Sequence, residues 1–102
     1  MEPFTQTVIA IIQGIPAGRV MTYGQIAAAA GSSRGARQVA RILHAMSAKH
    51  DLPWHRVINA RGEIALQDDE SRFVQTAMLR QEGVHVDDAG RIALAKYRHD
   101  ME

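Results

Sequence analysis

The stretch that most restricts the fold runs from Val20 to Met46, VMTYGQIAAAAGSSRGARQVARILHAM. A threonine with a glutamine three residues on, Thr22 and Gln25, is the spacing of a capping box at a helix start. A short alanine-rich helix over Ile26 to Ala30 follows, and Gly31 supplies the left-handed residue that ends it. Ser32 or Ser33 is then placed to cap a second, longer helix. Two helices with a tight Gly-Ser turn between them make a helix-turn-helix.

The longer helix has two unlike faces. Val39, Ile42, Leu43 and Met46 fall at i, i+3, i+4 and i+7, a core-facing stripe. Arg34, Arg37 and Arg41 fall at i, i+3 and i+7 on another side, and no acid lies among them. The small residues Ser33, Gly35, Ala36 and Ala40 let that side approach a second surface closely. Charge is split along the whole chain in the same sense. Residues 15 to 62 hold seven basic residues against one acid, whereas residues 63 to 102 hold five against nine, beneath a net charge of only +1. A basic face of this kind is the footprint of a nucleic-acid binder, although solvated arginines give the same count.

Around this unit the periodicity predicts a first helix over Pro3 to Gln13, on Phe4, Val8, Ile11, Ile12 and Ile15, with proline tolerated in its first turn. The GIPAG segment breaks it. Val57 and Ile58 read as the start of a buried strand. HRVIN-ARG-EIAL reads as a small hairpin around Arg61-Gly62. DDESRFVQTAMLRQEG reads as a late helix, acidic at its N-terminus as the helix dipole favours, and ended by Gly83. Glu82 is an anion in the last turn, where the dipole opposes it; solvation is the commoner explanation, and a histidine or arginine partner would also account for it.

At 102 residues the chain is expected to be one domain, α/β but mostly helical and winged-helix-like, with short strands. No apolar run approaches the length of a membrane span, and Glu2 does not suit a secretory leader, so a cytoplasmic monomer is the expectation. The five histidines show no zinc-type paired spacing, so neither a metal nor a cofactor is expected. There is no cysteine, which removes disulfides and any thiolate nucleophile.

Three motifs carry a family resemblance. PWHRVI resembles the active-site motif of the O6-alkylguanine-DNA alkyltransferases, which read Pro-Cys-His-Arg-Val followed by Ile or Val. VMTYGQIAAAAG with RGARQVARILHAM resembles their helix-turn-helix, and LRQEGV their late helix. The likeness covers residues 4 to 86, without the family's usual N-terminal domain. It departs at the decisive position: the nucleophilic cysteine is replaced by Trp54. An indole cannot accept an alkyl group by thiolate chemistry. The sequence is therefore similar to the alkyltransferase-like branch, which the resemblance implies binds O6-alkylguanine in duplex DNA from the minor groove. Such proteins flip the nucleotide out and pass it to nucleotide excision repair proteins without chemistry.

The resemblance also implies roles for single residues. Tyr23 matches the tyrosine that rotates the target phosphate. Arg37 matches the arginine finger that fills the gap left by the flipped base, a task suited to a planar, always-charged guanidinium. Thr22, Ser33, Arg34, Ala36 and Arg41 join them as DNA contacts. Trp54, Tyr23 and Gln67 are assigned to the base pocket. His55 and Glu82, with Arg56, are structural relics of the activating pair. Met46 stands where the family has a hinge asparagine. Two competitors remain: a sequence-specific helix-turn-helix transcription regulator, and an alkyl-accepting enzyme that uses another residue.

Overall fold

A computed structural model describes residues 1–101. Helix α1 spans Pro3–Gln13, as its periodicity predicts, and buries Val8, Ile9, Ile11 and Ile12. Strand β1 is Met21–Thr22 and runs directly into α2, Tyr23–Ala29. The capping box forms at this junction. Thr22 Oγ1 accepts from the Gln25 N–H at 3.0 Å, and Gln25 Oε1 accepts from the Thr22 N–H at 3.3 Å. The helix therefore begins three residues earlier than the alanine run suggests.

Its far end closes as a Schellman motif. Gly31 has φ of 98°, its N–H donates to the Ala28 carbonyl, and the Ser32 N–H donates to that of Ala27. Helix α3, Ala36–His50, then departs from the expected serine cap: Gly35 holds the N-cap position and no side chain caps the helix. Ser32 to Gly35 form a turn instead, closed by the Gly35 N–H on the Ser32 carbonyl. A Cβ on the buried Gly35 would stand 3.2 Å from the Phe4 ring, so there is little room for a larger residue at 35. Ser33 and Arg34 consequently lie ahead of the helix, and Arg34 is not part of its stripe.

The expected hairpin forms only as its turn: the Asn59 N–H donates to the Glu63 carbonyl and the Gly62 N–H to the Asn59 carbonyl, both at 3.0 Å, but no strand ladder extends from it among the described residues. Strand β2, Val57–Ile58, pairs in parallel with β1, Met21 opposite Val57 and Thr22 opposite Ile58. Beyond it the chain turns at Asn59, whose Oδ1 accepts from the N–H groups of Arg61 and Glu63. Glu63 then makes a single antiparallel bridge to Arg91. Gly62 has φ of 76° and its carbonyl accepts from the Ile92 N–H at 2.7 Å, and the Ile64 N–H donates to the Gly90 carbonyl, so this segment bonds with the C-terminal one. Helix α4, Asp69–Gln81, is capped by Asp68 and ends in a second Schellman motif at Gly83 and Val84. A short α5 covers Leu94–Tyr97.

The strand pair divides the apolar interior in two. Met21 and Val57 belong to a cluster with α1, α2 and α3; Val20 and Ile58 belong to another with Leu79, Val84, Val86, Ile92 and Tyr97. Alternation along an extended chain sends neighbouring residues to opposite sides, so two short strands bind both clusters. Val39, Ile42 and Leu43 are buried as their spacing predicts, and Met46 packs at the edge.

Candidate nucleic-acid interface

The outer side of α3 carries the exposed Arg37, Arg41 and His44, with exposed Ser33 and Arg34 on the turn before it. Among the other residues assigned to this surface, Ala36 is half-buried and Thr22 is buried at 8% exposure. The Thr22 hydroxyl is already an acceptor in the capping box, so its main task is to fix the start of α2. That start places Tyr23 in the first turn of α2, half-buried, with its phenol pKa pushed up by burial. Tyr23 thus stays a neutral hydrogen-bond donor at ordinary pH.

Between α3, α2 and the N-terminus of α4 opens a cleft of about 360 Å³. Tyr23, Leu43, His44 and Ser47 line one part of it; Trp54, Leu66, Asp68 and Gln75 line the rest. A second cleft, of about 690 Å³, is lined by His50, Pro53, His55, Arg56 and Met78. Trp54 and Ser47 are common to both. Trp54 opens a 3-10 turn, Trp54–Arg56, and its ring meets that of His55 edge-on at 6.2 Å.

This turn is held by one carboxylate. Glu82 accepts from His55 Nε2 at 2.8 Å, from Arg56 Nη2 at 2.6 Å and Nε at 3.0 Å, and from the Gly18 N–H at 3.1 Å. Arg56 also donates to the Ile15 carbonyl at 2.8 Å. The Arg56 hydrogen bonds, helped by His55 and Gly18 and opposed by partial burial, hold the Glu82 carboxyl at about 2 rather than 4.5. An ionised carboxylate can only accept, so His55 Nε2 carries the proton. In a neutral ring Nδ1 is then a bare acceptor, and it is buried with no partner among the described residues. From α4, Gln75 donates to the carbonyls of His55 and Val57 at 3.0 and 3.1 Å. The unfavourable charge at the end of α4 is therefore paired with both a histidine and an arginine, not left to solvent.

Of the three residues assigned to the base pocket, the fold brings Trp54 and Tyr23 to one cleft. Gln67 is not among its lining: it is exposed and donates back to the Ala65 carbonyl. Leu66 lines the cleft in its place. The lining residues Ser47, Asp68 and Gln75 come from segments far apart in sequence and had no local signal. His44 did have one, because it extends the Arg37 and Arg41 stripe by i+7 and i+3.

The family described as 6-O-methylguanine DNA methyltransferase, DNA binding domain, matches residues 3–84. A DNA base-flipping protein of Escherichia coli (strain K12) is 43% identical over 97 residues, 95% of this chain and 74% of its own. A DNA base-flipping protein of Vibrio parahaemolyticus is 42% identical over 99 residues, 96% and 97% of the two chains. Among solved structures, Schizosaccharomyces pombe Atl1, in complex with damaged DNA containing O6-carboxymethylguanine, superposes with a TM-score of 0.85 at 34% identity, covering 99% of this chain and 98% of that one.

Proposed function

The chain belongs to the alkyltransferase-like branch of the 6-O-methylguanine DNA methyltransferase family, and from that premise we propose that it is a non-enzymatic sensor of O6-alkylguanine in duplex DNA. The observation that carries this reading is the cleft walled by Trp54 beside the basic side of α3, in a chain with no cysteine. The residues act as follows. Phosphate contacts come from Arg34, Arg41 and the turn at Ser33, and Ala36 lets the backbone approach. Arg37 enters the minor groove and occupies the space vacated by the flipped base. Tyr23 steers the adjoining phosphate. The base then rests against the Trp54 indole.

The energetics favour damaged sites. Extruding a nucleotide costs a few kcal/mol, and least where pairing is already weakened, as it is when O6 of guanine carries an alkyl group. A cleft of about 360 Å³ lies within the range of small-molecule sites and offers flat apolar area for a purine. No thiol is present to take the alkyl group, so the complex persists and marks the lesion for nucleotide excision repair proteins.

Fluorescence anisotropy with two duplexes that differ by one O6-methylguanine tests the reading. The methylated duplex should bind more tightly, and intact-protein mass spectrometry afterwards should show no methyl adduct. Equal binding, or recovery of a single consensus from randomised undamaged DNA, would favour a transcription regulator. A stoichiometric adduct would mean an enzyme.

A further inference from the structure

Three residues form the exposed basic edge of α3: Arg37, Arg41 and His44. Helical spacing brings the last within about 20° of the first around the axis. His44 alone among them also lines the cleft that Tyr23 and Trp54 share. It stands where the DNA-facing edge of α3 becomes the rim of the base site, a position the two arginines do not reach. Resting on the function proposed above, we infer that His44 contacts the phosphate of the flipped nucleotide and takes up a proton when it does so.

The chemistry follows from the neighbours. A phosphate oxygen is an anionic acceptor, and an imidazole serves it best as imidazolium, with a positive charge as well as an N–H. Among the residues that line the cleft with His44, Asp68 at the N-cap of α4 is an acid and Tyr23 on α2 is neutral; Arg41 lies three residues before His44 on α3. The phosphate adds an anion beside His44 only in the complex. The complex then binds more protons than the free protein. Affinity is therefore highest at low pH and falls as pH rises. Because His44 sits at the rim of the base cleft, the effect belongs to the flipped state, and an unflipped undamaged duplex should show little of it.

The test measures dissociation constants for O6-methylguanine and unmodified duplexes between about pH 6 and pH 8 at fixed salt, for wild type, His44→Gln and His44→Arg. His44 is exposed, so neither substitution disturbs the core. For wild type, lesion affinity should fall about fivefold across that range, within the tenfold that one unit of pKa change allows. His44→Gln should be weak throughout and nearly independent of pH. His44→Arg should restore binding, also without pH dependence. If His44→Gln keeps the wild-type pH dependence, the proton goes elsewhere, to His50, His55, His85 or His99, and the inference fails. Failure of His44→Arg to bind better than His44→Gln would equally overturn the phosphate contact. Equal wild-type affinity for the two duplexes would instead overturn the lesion-sensor reading on which it rests.

Discussion

Replacing Glu82 by glutamine tests whether the carboxylate under the Trp54 turn is what holds that turn in place. The exchange keeps shape and removes charge. Glu82 is ionised down to about 2 in the folded protein, against 4.5 for an ordinary glutamate. At about 1.36 kcal/mol per unit that difference corresponds to at most about 3 kcal/mol. Solvent reaching 16% of its side chain brings the figure to about 1–2 kcal/mol. Glutamine also leaves the Arg56 guanidinium, only 18% exposed, without its anion, which raises the expected loss to about 2–3 kcal/mol near neutral pH. Because the folded-state pKa is the lower one, this stability is complete above about 4.5 and drains away as pH falls toward about 2. Urea denaturation followed by the fluorescence of the single tryptophan is the assay. The gap between wild type and Glu82→Gln should be widest near neutral pH and should narrow steadily on acidification, where both proteins carry a neutral group at position 82. A gap below about 0.5 kcal/mol at neutral pH, or one that does not narrow in acid, would refute the assignment of Glu82 as the anchor.

Other outcomes follow from the same geometry. Arg37→Ala should lose most of the preference for an O6-methylguanine duplex with no change in melting temperature, since its side chain is exposed; an unchanged dissociation constant would remove it from the finger role. Lesion affinity should fall with salt at a log–log slope near −3.6 if about 4 phosphates are neutralised, a figure that titration from low to moderate salt measures directly. Gly62→Ala places a Cβ 2.6 Å from the Ile92 carbonyl at a φ of 76°, and thermal or urea unfolding should register a loss of about 2–3 kcal/mol.

Local chemistry was legible in the sequence. The bounds of α1, the Thr22–Gln25 capping box and the glycine stops at Gly31 and Gly83 depend on residues within a few positions of one another, and all formed as read. Glu82 was only partly legible: a charge against the helix dipole is more often solvated, and the fold instead supplies the less common explanation, a histidine and an arginine partner. What escaped was non-local. Val57 and Ile58 pair with residues 36 positions earlier, not with their own downstream neighbours, and nothing within the segment signals that choice. The start of α3 was missed because Ser32 to Gly35 close a turn of their own, leaving Gly35 at the N-cap where a Cβ would meet Phe4 of α1. The base cleft was only half legible, since Trp54 and Tyr23 sit in recognisable motifs while Leu66, Asp68 and Gln75 are brought in by the placement of α4.

The Glu82 cluster explains why a set of groups suited to activating a nucleophile persists beside an indole. A carboxylate in the last turn of α4 loses about 0.3–1 kcal/mol against the helix dipole. It regains more from each charge-assisted hydrogen bond, at about 1.5–3 kcal/mol. Those bonds reach the turn at Gly18 and both residues that follow Trp54, so one side chain joins three separated segments. Gln75 secures the same turn from its backbone side. Trp54 therefore stands on a fixed base before any DNA arrives. If the proposed function holds and a lesion is recognised by fit and not by reaction, that rigidity has direct value, because a wall already in place spends none of the binding free energy on being ordered. Under the proposed function, the His55–Glu82–Arg56 arrangement would serve binding by keeping the face of the cleft in register with the exposed side chains of α3.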